Sequence, residues 1–131
     1  MKKLLIILLL FVVVNKSKAQ AHIGITLDGL KKFHPDKEFS LQYLPSGMAV
    51  ASADFPYGTF LYYFNQYGYV YFCAQVPYNS TCVNTQVEIY NGKYTIKSPT
   101  DWVAYLDGGI IVIKLKFDIE FQRYVFLYES L

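Results

Sequence analysis

Between Phe55 and Tyr78, eleven of twenty-four residues are aromatic: Phe55, Tyr57, Phe60, Tyr62, Tyr63, Phe64, Tyr67, Tyr69, Tyr71, Phe72 and Tyr78. Thr59 to Asn65 and Tyr69 to Val76 are β-branched and aromatic runs separated by Asn65-Gln66-Tyr67-Gly68, a turn composition, which predicts a β-hairpin. A short turn at Gln66-Tyr67 would set Phe64 opposite Tyr69, Tyr62 opposite Tyr71 and Phe60 opposite Cys73 on one face. The other face would carry Leu61, Tyr63, Val70, Phe72, Ala74 and Val76. Strand side chains alternate between faces, so this aliphatic-leaning set is expected to lie under a helix. The tyrosine-rich set is then left needing a partner.

Upstream, Met1-Lys2-Lys3 is basic, Leu4 to Val14 is eleven uninterrupted apolar residues, and Asn15 to Ala21 is polar with small residues suited to cleavage. Eleven residues are too few for a bilayer, which takes about 20 as a helix. The segment reads as a removable signal peptide over 1–21, cut after Ala19 or Ala21, and 22–131 reads as one domain. The Lys-Lys start, the Leu/Ile/Val core and the Ala-Gln ending resemble the signal peptides of small exported proteins of the Bacteroidetes. That resemblance implies a periplasmic or secreted location and carries over no functional residue. Losing the first twenty residues removes four of the twelve Lys and Arg and none of the ten Asp and Glu, leaving a net charge of minus two. Without a clustered basic face, no nucleic-acid partner is expected, and no membrane span is expected in the mature chain.

Ile23, Leu27, Leu30 and Phe33 form an apolar stripe, with Thr26 as N-cap and Asp28 in the first turn, so a short helix is expected before Pro35. Glu38 to Leu44 and Met48 to Ala53 read as strands around Pro45-Ser46-Gly47, ahead of the aromatic hairpin, which Pro77 ends. Asn79 or Ser80 caps the main helix, where Val83, Val87 and Tyr90 recur at helical spacing, and Asn91-Gly92 stops it. Tyr94 to Lys97, Trp102 to Leu106, Ile110 to Phe117 and Arg123 to Tyr128 are further strands. The expected fold is α+β: one antiparallel sheet with a short N-terminal helix and a main helix, about 80–91, packed on one face.

An internal echo runs through the chain. A helix, Lys37-Glu38-Phe39-Ser40-Leu41 and a strand ending Phe64-Asn65-Gln66 match a helix, Gly92-Lys93-Tyr94-Thr95-Ile96 and a strand ending Phe117-Asp118-Ile119. Two helix-then-meander units would explain it, as would chance similarity among β-rich segments.

Cys73 and Cys82 are the only cysteines, and an even count in an exported domain invites a disulfide. The chain reverses between strand and helix, which would bring the Cα atoms within the ~4.4–6.8 Å that a bridge needs; two buried thiols are the alternative. A helix N-terminus would also make Cys82 nucleophilic, with His34 as the internal base. If cleavage follows Ala21, His22 becomes a chelating N-terminus to which His34 could add a nitrogen for copper. Two histidines without a Cys, Met or acid cluster fall short of a dependable pattern, so no metal and no cofactor are assigned. No Gly-x-Ser-x-Gly, His-Glu-x-x-His, phosphate-cradling glycine loop or calcium loop occurs in the sequence.

The function expected is therefore that of an exported, non-enzymatic interaction module. Phe60, Tyr62, Phe64, Tyr69 and Tyr71 would anchor a protein, a peptide, a glycan or a second copy of the chain, because tyrosine offers a rigid apolar body with a hydroxyl at little entropic cost. The alternative is a small enzyme with a site assembled from Cys82, His34 and an acidic residue.

Overall fold

The computed structural model describes residues 22–106 and 109–131; the expected signal peptide lies outside the described residues. The β-branched and aromatic runs become strands with the expected order. Helix α1 (Leu27–Phe33) precedes β1 (Ser40–Tyr43), β2 (Ala49–Phe55), β3 (Gly58–Phe64) and β4 (Val70–Pro77). Helix α2 (Ser80–Lys93) precedes β5 (Thr95–Ser98), β6 (Asp101–Leu106), β7 (Gly109–Asp118) and β8 (Arg123–Ser130). Both helices start on side-chain caps: Thr26 accepts from the Gly29 amide at 3.2 Å and Asn79 from the Cys82 amide at 2.9 Å.

All eight strands form one sheet in the order β1-β2-β3-β4-β8-β7-β6-β5, with every neighbouring pair antiparallel. Each half is one helix followed by four strands, and the halves join through their last strands, β4 and β8. The echo in the sequence thus has a structural counterpart, and it extends to the hairpin turns. Asn65 Oδ1 accepts from the amides of Tyr67 at 2.9 Å and Tyr69 at 3.0 Å, while Asp118 Oδ1 accepts from that of Phe121 at 3.0 Å.

The expected α+β class is overturned. Half of the described residues lie in strands, and the helices are two, one of them short, so the fold is sheet-dominated. The covered face also differs from the expected one. Tyr90 of α2 and Leu30 of α1 join one core cluster with Ala51, Phe60, Tyr62, Cys73, Trp102, Ile113, Phe126 and Tyr128. One row of this face runs Leu41, Ala51, Tyr62, Cys73, Tyr128, Ile113, Trp102, Ile96 across the whole sheet. The helices therefore cover Phe60, Tyr62 and Phe64 rather than Leu61 and Tyr63.

Aromatic rings suit that layer because their polar tips find partners within it. Tyr90 Oη and Tyr128 Oη are 2.6 Å apart, Tyr128 donates to Gln75 Oε1 at 3.2 Å, and Gln75 Nε2 donates to Gln86 Oε1 at 3.4 Å. Trp102 Nε1 donates to Asn91 Oδ1 at 2.8 Å, tying β6 to α2. Among the described residues no buried side-chain nitrogen or oxygen lacks a hydrogen-bond partner.

The difference in face traces to register. The hairpin loop is Gln66-Tyr67-Gly68, closed by Asn65 N–H on the Tyr69 carbonyl at 2.8 Å and by Gly68 N–H on the Asn65 carbonyl at 3.0 Å. Gly68 has φ +85°, the left-handed geometry that ends a three-residue hairpin loop. Phe64 then pairs with Val70 rather than Tyr69, and Tyr71 is an extra residue, because Tyr63 pairs with Phe72 and Tyr62 with Cys73. Each one-residue slip turns the β4 side chains over. The longer loop places Val70 inward, and the bulge at Tyr71 restores Cys73 and Gln75 to the covered face. Tyr69 and Tyr71 are left outside.

Candidate functional site: the helix-free face of the sheet

The five rings expected to form one platform are divided. Phe60 and Tyr62 are fully buried and Phe64 is 4% exposed, whereas Tyr69 and Tyr71 are 47% and 46% exposed. Phe60 and Tyr62 stack at 5.7 Å, and Phe60 also meets Tyr128 at 5.5 Å, so these rings are core. Burial, first among the causes, pushes the Tyr62 hydroxyl well above its ordinary range.

The opposite face carries a different cluster. Tyr63 meets Phe72 edge-on at 5.5 Å, and Phe72 meets Tyr71 at 6.5 Å; the bulge is what sets Tyr71 and Phe72 side by side on this face. Ala74 and Val125 are buried between neighbouring side chains, and half-buried Leu61, Val76 and Leu127 surround them. Lys114, Lys116 and Glu129 stand exposed on the same face further across the sheet.

Burial and then the charges of Tyr71, Asp118 and Glu120 raise the Tyr63 hydroxyl above its ordinary value. The row of Tyr63 runs through Phe72 and Glu129 to Val112, and Asp118 is six residues further along β7, about 20 Å of strand. On this face Tyr63, Tyr71 and Phe72 lie toward one corner of the sheet. The β7–β8 turn stands at the other, where Ile119 is 77% exposed.

A second concavity, of about 270 Å³, opens on the covered side between the start of α1 and the β1–β2 and β3–β4 turns. Leu27, Leu41, Met48 and Phe64 line it, with Asn65 and Gln66 at its polar side. It lies where the short helix α1 leaves its half of the sheet incompletely covered.

The expected Cys73–Cys82 disulfide is overturned, because both cysteines are free. Helix α2 runs back over the sheet so that Gln86 stands at Gln75 and Tyr90 at Tyr128, which pairs with Cys73. Cys82 is two helical turns before Tyr90, over the end of β4, so it never stands above Cys73. Cys73 is fully buried, its thiol pushed up to about 12 by burial, and its Sγ lies 3.9 Å from the His22 carbonyl.

His34, Cys82 and a carboxylate are not brought together: among the described residues no three His, Cys, Asp or Glu converge as a metal-binding group would. The two histidines do meet, Nε2 to Nε2, at 3.1 Å. This contact differs from the expected chelating N-terminus, because an N-terminal amine closes a chelate ring with Nδ1 of its own histidine, not with Nε2. Among the described residues no helix is long and apolar enough to cross a membrane.

The fold and these surfaces define a class: a two-unit antiparallel sheet with helices on one side and an aromatic face on the other. Compared with known proteins, the chain matches no family model, no curated protein and no solved structure.

Proposed function

We propose that the chain is an exported interaction module that holds a protein, peptide or glycan against the helix-free face of its sheet. The observation that carries this reading is the cluster of Tyr63, Tyr71 and Phe72 on a face to which neither helix contributes. Rigid rings presented on a sheet give large contact area at low entropic cost. Tyr69 and Tyr71 keep the binding role expected of them, with Tyr63 and Phe72 in place of the buried Phe60, Tyr62 and Phe64. The basic start, the short apolar run and the small-residue ending of the leader support export.

The test is binding of purified protein to arrays of peptides and glycans, with sedimentation velocity to detect self-association. Tyr71→Ser and Tyr63→Ser should weaken whichever association is found and leave Leu27→Ser, at the second concavity, as a folded control that binds. Association that survives both face substitutions and is lost in Leu27→Ser would move the function to the 270 Å³ concavity.

A further inference from the structure

The contact between His22 and His34 sits apart from the helix-free face, and each part of it is held in place. His22 is 8% exposed and stacks on Phe33 at 4.7 Å with the planes 15° apart. His34 caps the C-terminus of α1 and meets Phe55 edge-on at 5.0 Å. The strand-like segment carrying His22 is pinned to the sheet. Gly24 N–H donates to the Val70 carbonyl at 2.7 Å, Val70 N–H donates to the Ile25 carbonyl at 2.8 Å, and the Cys73 thiol reaches the His22 carbonyl at 3.9 Å. Each ring thus has an aromatic neighbour besides the other, Phe33 for His22 and Phe55 for His34.

Two nitrogens held this way are arranged for more than a shared proton. Imidazole nitrogens bind zinc at about 2.0–2.1 Å, and two such ligands 3.1 Å apart subtend roughly 100° at the ion, between the square and tetrahedral angles. We propose that His22 and His34 form a two-imidazole site for a divalent transition ion, Cu(II) or Zn(II), with Nε2 of each ring as ligand. The ion replaces the N–H···N contact: the ring that carried its hydrogen on Nε2 carries it on Nδ1 instead, and both Nε2 lone pairs face the metal. His34 is only half-buried, so the ion and the waters completing its shell enter from solvent on that side. Imidazole suits both metals, and copper binds the tighter of the two at a given nitrogen site. The bound ion would lock the segment 22–26 to the end of α1.

The experiment is calorimetric titration of purified protein, carrying a C-terminal tag without histidine, with Cu(II) and separately with Zn(II) at neutral pH. Nitrogen-15 spectra of the imidazoles of the unsubstituted protein are recorded alongside. The proposal expects one ion per chain and, with diamagnetic Zn(II), simultaneous shifts of the Nε2 resonances of His22 and His34, while paramagnetic Cu(II) should broaden both together. His34→Gln and His22→Gln should each weaken copper at least about tenfold, and Cys82→Ser should change nothing. If a substituted chain fails to fold, the spectra of the unsubstituted protein decide. No saturable binding, binding retained in His34→Gln, or spectra in which only one of the two rings responds would overturn it.

Discussion

Tyr62 lies in the core and Tyr71 on the exterior of the same hairpin, so truncating each should have very different consequences. Tyr62 is fully buried, stacks on Phe60 at 5.7 Å, meets Phe39 at 6.1 Å and pairs across the sheet with Ala51 and Cys73. Removing a ring from such a site loses the transfer free energy of its atoms and leaves a void the sheet cannot collapse, about 3–5 kcal/mol. Against a typical stability of about 5–15 kcal/mol, Tyr62→Ala would spend much of the margin of a chain this size. For a domain of this length that corresponds to a fall in Tm of roughly 12–20 °C. Tyr71→Ala removes a ring that is 46% exposed and sits on a bulge, and should stay within about 0.5–1 kcal/mol. Trp102, fully buried and bonded to Asn91, is the only tryptophan and reports unfolding by fluorescence in urea. The reasoning fails if Tyr62→Ala costs less than about 1 kcal/mol, or if Tyr71→Ala costs as much as Tyr62→Ala.

Stability should fall as pH rises above about 10, where phenols ionise in an unfolded chain. Burial raises the folded-state values of Tyr62, Tyr90 and Tyr128, so their contribution is complete below that pH and lost as pH climbs toward the folded values. Absorbance at alkaline pH should show exposed tyrosines titrating first and a cooperative second phase that coincides with loss of Trp102 fluorescence. Unreduced native protein should expose Cys82 to a thiol reagent while fully buried Cys73 reacts only on unfolding, so denatured protein yields two thiols. A Cβ at Gly58 would stand 2.6 Å from the Val76 carbonyl oxygen, so Gly58→Ala should destabilise by about 1–3 kcal/mol in the same urea assay.

The element pattern was legible in the sequence because it rests on local chemistry. Alternating apolar residues, Thr26 and Asn79 as caps, and Pro77 as a strand end act over a few residues each. The turn-opening Asn65 and Asp118 also stand at matching places in the two halves, which is why the internal echo could be seen at all. The face assignment was not legible in the same way, since it depends on adding single residues. Asn65 followed by Gly68 is compatible with a two-residue or a three-residue loop, and the bulge at Tyr71 inserts one further residue that no local composition marks. Aliphatic content was a poor guide to the covered face because Gln75, Gln86, Tyr90 and Tyr128 satisfy one another there. The cysteine separation failed for a related reason: a helix returning over its own strand places Gln86, not Cys82, above the strand's middle. The sequence pairs the two histidines only through a chelating N-terminus; the Nε2–Nε2 contact at 3.1 Å across the capped helix comes from the fold, not from their twelve-residue spacing.

Hydroxyl-radical footprinting of the purified chain, read residue by residue by mass spectrometry and repeated with a bound partner, tests the division of the two sheet faces most directly. Tyr69 and Tyr71 should be oxidised readily in the free protein, and Tyr71 with Tyr63 and Phe72 should become protected in the complex, while Phe60, Tyr62 and Phe64 stay unreactive in both states. Ready oxidation of Phe60 and Tyr62 in folded protein, with Tyr71 protected before any partner is added, would contradict the account.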